Sequence, residues 1–525
     1  MNPYSISFGR AAAATPNAPA LVVQGNTYTY AQLQARVNGL RAALQRCAPS
    51  ASVAIYASRS LTAYVAVLAC VAESRTWVPL NPSFPVARNL RMLTLSGARI
   101  LIVDEEAQYL QQEQDQHQQQ QATALREHPA LDQVLGLQDS IRSELVTDAA
   151  HNPAAGNDHT VYLLFTSGTT GQPKGIPVAA ACLVAYLQNF SALYPLPTGL
   201  RCSQMFDLTF DLSVHDMFVC WYHGGCLVVP TAADLLMPLQ FVRRHAIQVW
   251  FSVPSMASLA KQSGLLRPCV LPSLQFAFFC GEALPVSTVH AWIAAAPKAR
   301  VVNLYGPTEA TIAITAFEMN PHDPHWQTLS VAPIGAPYPG QFAKVVDPQG
   351  NEAPDGEQGE LWLAGSQLTQ GYLADVAKTS AAFVNHVFPH CPASRWYRTG
   401  DCALQQGELG LVYVGRLDRQ VKINGYRVEL QEVEHHLRRA AATELVAVLP
   451  YPQRSDGLYS SIVGFVVQPA LATQTICDRL SDHLPAYMQI ARIHTLESLP
   501  LNANGKVDYA QLQNWLNAKG DHAST

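Results

Sequence analysis

Between Ser52 and Val103 short apolar runs alternate with longer apolar stretches. Ser52 to Tyr56, Trp77 to Leu80 and Ile100 to Val103 read as strands, and Thr62 to Ala72 reads as a buried helix. This alternation predicts an α/β fold, a parallel sheet with helices on its faces. Ahead of it, Phe8 to Ala14 reads as a short helix stopped at Thr15-Pro16. Ala20 to Val23 and Thr27 to Tyr30 read as a hairpin around Gly25-Asn26. A helix then opens at Tyr30, with apolar residues at Leu33, Val37, Leu40 and Leu44. A chain of 525 residues can bury large cores and is expected to hold at least two domains.

A second apolar run, Val161 to Phe165, feeds a stretch crowded with hydroxyls and glycines that ends in Lys174. Glycines let several backbone N–H groups turn toward one anion. Thr166, Ser167, Thr169 and Thr170 add hydroxyls, Gly168 and Gly171 add freedom, and Lys174 adds a positive charge. That combination is a device for gripping phosphate oxygens. It is not a P-loop, which needs G-x-x-x-x-G-K-[ST]. Gly168 and Gly171 stand too close together, and Gly175 follows Lys174.

Composition narrows the function classes. Apolar residues make up 48% and charged residues 14%, as in a globular enzyme, and a net charge of −5 gives no basic face for nucleic acid. Eleven scattered cysteines without a C-x-x-C pair point to free thiols in a reducing cytoplasm. The first nineteen residues lack a long apolar core, so no secretory signal is expected, and Tyr64 to Ala72 is too short to span a bilayer. The glutamine-rich run Gln108 to Gln121 reads as a solvated insertion without an assigned function.

The stretch TSGTTGQPKG resembles the phosphate loop of the adenylate-forming enzymes. These are the acyl- and aryl-CoA synthetases, the luciferases and the amino-acid adenylation domains of nonribosomal peptide synthetases. Further stretches carry the resemblance in order along nearly the whole chain. Phe210-Asp211-Leu212-Ser213-Val214 resembles FDxSV, and Cys280-Gly281-Glu282-Ala283-Leu284 resembles the GGEAL stretch. Asn303-Leu304-Tyr305-Gly306-Pro307-Thr308-Glu309 resembles the family's aromatic-Gly-Pro-Thr-Glu motif. GELWLAGSQLTQGYL from Gly359 resembles GELxxxGxxxxxGY, and Tyr397-Arg398-Thr399-Gly400-Asp401 resembles Y-[RK]-T-G-D. Val414 to Glu429 resembles GRxDxQVKxxGxRxE, and Leu499 to Asp508 resembles LPxTxxGKxD with Asn502 in place of threonine. Asn81 replaces the aspartate of PLDPxxP, and Glu73-Ser74-Arg75 stands where a glycine is usual; both departures read as structural.

The resemblance implies an acyl-adenylate synthetase fold. A large N-terminal domain of layered α/β sheets, residues 1–417, would hold the ATP and substrate sites. A small mobile α+β domain, residues 418–525, would bring the catalytic Lys506, with the hinge at Asp418 and a thioester-channel loop at Gly425. ATP contacts are expected from Thr166 to Lys174, Gly281, Glu282, Ala283, Asn303, the Tyr305 ring under adenine, Gly306, Asp401 on the ribose, and Arg416. Thr308 and Glu309 would act at the phosphates, Glu309 as a Mg²⁺ ligand. The amino-acid pocket is expected from Asp211, Leu212, His215, Ser252, Phe278, Cys280, Leu304, Ile312 and Ala313, beside Lys506. Asp211 would pair with the substrate ammonium, cap the helix opening at Leu212, or do both at once. His215, Ser252 and Cys280 would offer polar contacts to a small or medium neutral side chain, hydroxylated or cyclic ones included.

The expected activity is ATP-dependent conversion of an α-amino acid to its adenylate with release of pyrophosphate. The acyl group would then pass to a phosphopantetheine thiol. No carrier motif follows Lys506 before Thr525, so that thiol is expected on a separate carrier protein. An acyl- or aryl-CoA ligase is the alternative. A luciferase-like oxygenase and an inactive binding module stand further off, the latter opposed by Lys506, Glu309 and Asp401.

Overall fold

The computed structural model describes residues 2–48, 52–104, 121–137, 159–167, 173–454, 456–501 and 507–519. Lys506, Gly168, Thr169, Thr170, Gly171 and most of the glutamine-rich run lie outside them. The chain divides into two compact units. The first comprises Met1–Pro82, Met92–Phe165 and Gly175–Leu417; the second comprises Ser83–Arg91, Thr166–Lys174 and Asp418–Thr525.

In the first unit a six-stranded sheet runs in the order Gln133–Gly136, Ile100–Val103, Val53–Tyr56, Trp77–Leu80, Thr160–Thr166, Lys174–Ala179. The first five strands pair in parallel, as the alternating pattern predicts. The helix Leu61–Ala72 is buried along its whole length, and Ser60 accepts the N–H of Ala63 at its start. Arg75, the last residue of the Glu73-Ser74-Arg75 stretch, has a structural task. Its guanidinium donates to the carbonyls of Leu44, Cys47 and Ala48 at the end of the helix Tyr30–Gln45. A helix C-terminus carries unpaired carbonyls that favour a cation.

The second sheet has nine strands, in the order Ala336–Pro337, Thr315–Glu318, Arg300–Tyr305, Phe276–Phe279, Val249–Ser252, Arg201–Ser203, Cys226–Val228, Pro19–Val23, Asn26–Thr29. Its centre is parallel and its edges antiparallel. The helix Leu212–Tyr222 is buried from Leu212 through Trp221, with the polar Ser213, His215 and Asp216 among them. One core cluster joins this helix to residues of both sheets.

A third sheet is antiparallel: Gln341–Val346, Gln358–Gly365, Arg395–Gln405, Phe383–Asn385 and Leu411–Arg416. Leu361 and Leu363 pack into a cluster with Tyr305 and Tyr397, while Trp362 and Ala364 pack into another with Trp396 and Phe388. Strand neighbours point to opposite faces, so each face of this sheet has its own apolar cover.

The second unit contains the hairpin Gln420–Ile423 and Tyr426–Glu429, turned at Asn424 (φ +49°) and Gly425 (φ +86°). Two consecutive left-handed residues make the turn whose twist suits a two-residue hairpin. A three-stranded sheet follows, Val446–Pro450 antiparallel to Ile462–Val467, which runs parallel to Ile490–Leu496. Glu434, on the helix Leu430–Ala441, accepts hydrogen bonds of 3.0 Å from Arg419, Tyr509 and the N–H of Val448. That carboxylate ties the chain just past Asp418 to the start of the helix Tyr509–Lys519.

Candidate functional site

The strand Arg300–Tyr305 ends at Gly306-Pro307, and Thr308–Ala310 form one tight 3₁₀ turn. Loops at the C-terminal edge of a parallel sheet are where α/β folds bind ligands. A Cβ on Gly306 would lie 2.6 Å from Ala313 Cα, so only glycine lets the returning chain pass. Thr311 (φ +56°) and Ile312 (φ +73°) both hold the left-handed region. The Thr311 hydroxyl donates to Gln367 O at 2.7 Å, and Gln367 Nε2 donates to Ala313 O at 2.8 Å, which fixes that strained return. Gly306→Ala is expected to cost about 1–3 kcal/mol or more, because backbone must move to admit the methyl group. Urea unfolding read against wild type checks this.

Glu309 is fully buried, and its Oε1 accepts the Tyr372 hydroxyl at 2.9 Å. Tyr305 donates its hydroxyl to Asp401 Oδ2 at 2.5 Å, and Arg416 Nη1 donates to Asp401 Oδ1 at 2.8 Å. Burial, reinforced by the Asp401 charge, raises the Tyr305 phenol so that it stays protonated. Each Asp401 oxygen thus accepts one protein donor and keeps a lone pair for another. Asn303, fully buried, donates to Pro333 O at 2.9 Å, while its Oδ1 has no partner among the described residues.

Two other expected nucleotide contacts, Glu282 and Ser167, have protein partners. Glu282 accepts the Ser255 N–H at 2.7 Å, at the start of the helix Pro254–Gln262, where the backbone donors are otherwise open. Beside it Gly281 takes φ +96°, and Ala283 is half-buried. In the second unit the buried Ser167 hydroxyl donates to Arg427 O at 2.8 Å and accepts the Glu429 N–H at 3.2 Å. Thr166 Oγ1 is buried without a partner among the described residues, and Lys174 opens the strand Lys174–Ala179. Asp418 accepts the N–H of Gln420 at 3.1 Å.

The nine expected substrate residues are all buried in the first unit. Asp211 stands at the cap position of the helix Leu212–Tyr222, yet its carboxylate makes no capping hydrogen bond. Its helical dihedrals, φ −60° and ψ −24°, differ from the extended geometry in which a cap side chain reaches back. The capping alternative therefore lacks its defining bond. His215 follows one turn later, and its Nδ1 lies 2.6 Å from the Tyr186 hydroxyl. Burial, with a smaller push from His223, drives its pKa down to about 3, so the ring is neutral. Phe278 packs edge-on to Phe190 and Tyr194.

Ser252 differs from expectation. Its hydroxyl accepts Trp250 Nε1 at 2.9 Å and donates to Val253 O at 3.2 Å, so its hydrogen-bonding capacity is engaged inside the protein. Leu304, Ile312 and Ala313 are buried apolar residues, and Cys280 is a buried thiol. Sequence reasoning passed over Tyr372 and Tyr186. Tyr372 had a signal, the tyrosine of the GxxxxxGY stretch; Tyr186 had none beyond its place in an apolar helix.

Comparisons with known proteins agree with this architecture. The family model for the AMP-binding enzymes matches residues 8–373. A D-alanine–D-alanyl carrier protein ligase of Bacillus licheniformis is 29% identical over 509 residues, covering 95% of this chain and 96% of the relative. The ligase of that name from Bacillus cereus is 30% identical over 519 residues, covering 95% and 97%. Among solved structures, the Vibrio cholerae adenylation domain AlmE in complex with glycyl-adenosine-5′-phosphate superposes with a TM-score of 0.85. It is 31% identical, and the match covers 99% of this chain and 98% of that one. With a family model spanning more than half of its length and full-length relatives at 30% identity, the chain belongs to the AMP-binding enzyme family.

Proposed function

We propose that this protein activates a small neutral α-amino acid with ATP and passes the aminoacyl group to the phosphopantetheine thiol of a separate carrier protein. The observation that carries the reading is Asp211. It is 3% exposed, stands at the start of the buried helix Leu212–Tyr222, and makes no side-chain capping bond there. A carboxylate in a buried setting favours a cationic group on the ligand over a neutral one. An α-ammonium is such a group, and fatty or aromatic acids carry none. The relatives named as D-alanine–D-alanyl carrier protein ligases and the glycyl-adenylate complex support an amino acid of this size.

A carboxylate is a poor acyl donor because oxide would have to leave. Its attack on the ATP α-phosphate forms a mixed anhydride and releases pyrophosphate, so the leaving group becomes AMP. Charge spreads over phosphate oxygens on the way, and catalysis is mainly positioning and electrostatics. Asp401 and Arg416 suit the ribose hydroxyls, since the carboxylate keeps free lone pairs. The unpartnered Asn303 Oδ1 suits the exocyclic amine of adenine. Thr166 to Lys174 are assigned to the β- and γ-phosphates, and Lys506 to the reacting carboxylate and α-phosphate.

Among the described residues no cluster of three His, Cys, Asp or Glu groups forms a metal cage. Mg²⁺ needs none: it binds through one or two carboxylates, phosphate oxygens and water. Glu309 and its neighbour Thr308 fit that role, Glu309 being held by Tyr372. The ion supplies charge neutralisation at the phosphates when bound. Residues 1–417 are assigned as the core and 418–525 as the mobile domain with its hinge at Asp418 and its thioester-facing loop at Gly425. No helix among the described residues is long and apolar enough to cross a membrane, and a cytoplasmic site of action is consistent with eleven free cysteines.

Amino-acid-dependent exchange of labelled pyrophosphate into ATP tests the reading. Glycine or an alanine enantiomer is expected to support the fastest exchange across a panel of amino acids and their des-amino analogues. Exchange driven by fatty or aryl acids, with none by amino acids, would overturn it.

A further inference from the structure

Tyr186 lies in the helix Ala180–Leu193, fully buried, and its hydroxyl meets His215 Nδ1 at 2.6 Å. Burial keeps the phenol protonated and the imidazole neutral. A protonated phenol donates to Nδ1, which places the imidazole proton on Nε2. That N–H has no protein partner among the described residues. The ring is wedged edge-on against Phe190 at 4.8 Å and tilted against Phe251 at 4.2 Å, with Phe278 at 5.9 Å. Asp211 has helical dihedrals, so it and His215 are neighbours one turn apart on one helix face. Side-chain bases so placed are about 5–6 Å apart.

We propose that Tyr186 is a specificity-determining positioning residue, fixing the rotamer and tautomer of His215 so that the imidazole closes the amino-acid subsite beyond a methyl group. The inference rests on the reading of Asp211 and His215 as that subsite. An ammonium held by Asp211 leaves one turn of helix for the side chain before the imidazole is met. Hydrogen or methyl fits and leaves Nε2–H room for a water. An ethyl or isopropyl group reaches the ring and covers that N–H without giving it an acceptor, which is unfavourable. The aromatic neighbours stop the ring from turning away, and the Tyr186 hydroxyl stops its proton from changing nitrogen.

The test measures kcat and KM in pyrophosphate exchange for glycine, both alanines, 2-aminobutyrate and valine. Wild type, Tyr186→Phe, His215→Ala and the double variant are compared, with circular dichroism and melting checking each fold. In wild type, kcat/KM is expected to fall at least about tenfold from the best small substrate to 2-aminobutyrate, the scale set by one methylene in a tight pocket. Tyr186→Phe is expected to narrow that gap several-fold through KM, with little change in kcat. His215→Ala is expected to abolish the gap, and adding Tyr186→Phe to it changes nothing more. An unchanged gap in Tyr186→Phe, a gap that survives His215→Ala, or a further change in the double variant would each overturn the inference. Those results leave the amino-acid reading standing; a wild type that exchanges with no amino acid sinks both.

Discussion

Lys506→Ala is expected to lower aminoacyl-adenylate formation by about 10²–10³-fold, the scale of removing a charged or hydrogen-bonding group from a developing oxyanion. The lysine stands in Leu499-Pro500-Leu501-Asn502-Ala503-Asn504-Gly505-Lys506. In the proposed role an ammonium there would neutralise the incoming carboxylate and the α-phosphate as they meet, and would be needed only while that bond forms. Transfer from adenylate to thiol makes no new phosphorus–oxygen bond. Loading of a carrier from pre-made aminoacyl-adenylate is therefore expected to fall far less. Lys506→Arg is not expected to restore the rate, since a planar fork does not replace a compact point charge. Pyrophosphate exchange and single-turnover carrier loading separate the two half-reactions. An equal loss in both would remove the distinction between them and with it the assignment of Lys506 to the first.

The sheets built by alternating strands and helices were legible in sequence because their signals are local. Val53–Tyr56, Trp77–Leu80 and Ile100–Val103 are short apolar runs between helical stretches, and they pair in parallel. The helix Leu61–Ala72 begins one residue before the expected Thr62 because Ser60 caps it. The antiparallel sheet between Gln341 and Arg416 was not read as a sheet. Its strands are covered on both faces, so Leu361-Trp362-Leu363-Ala364 shows no alternation of apolar and polar residues. The hairpin at Asn424-Gly425 carries a strong short-range turn signal, passed over because the same residues also form part of a family motif.

The candidate site was legible as residue identities and not as hydrogen bonds. Asp401 and Arg416 belong to different motifs, and only the pairing of Arg395–Gln405 with Leu411–Arg416 sets them opposite each other. Tyr305 looked like a ring awaiting adenine; its hydroxyl is also an orienting donor to Asp401. Ser252 looked like a free hydroxyl, and Trp250, two residues back on the same strand, engages it. Tyr186 could not be read at all. Its meaning depends on the packing of the helix Ala180–Leu193 against Leu212–Tyr222, a contact between residues 29 apart in the chain.

Asp211→Asn is expected to weaken activation of the amino acid by about 3–5 kcal/mol, the loss expected when a buried charge is left without its partner. That corresponds to roughly two to more than three powers of ten in kcat/KM, at about 1.4 kcal/mol for each tenfold. Asparagine keeps the size of the side chain and an acceptor oxygen, so the helix Leu212–Tyr222 loses no volume at its first turn. The helix also loses no capping bond, because Asp211 makes none. What disappears is the negative charge that, in the proposed role, would face the substrate ammonium. A substrate without that ammonium has nothing to lose, and the des-amino acid of the same length gains from the neutral asparagine. The two activities are thus expected to move in opposite directions. The ratio of their kcat/KM values, measured by pyrophosphate exchange in wild type and Asp211→Asn, reads this directly and cancels any common loss of active enzyme. Parallel losses for both substrates would make Asp211 a structural group and would raise the acyl-CoA ligase alternative in its place.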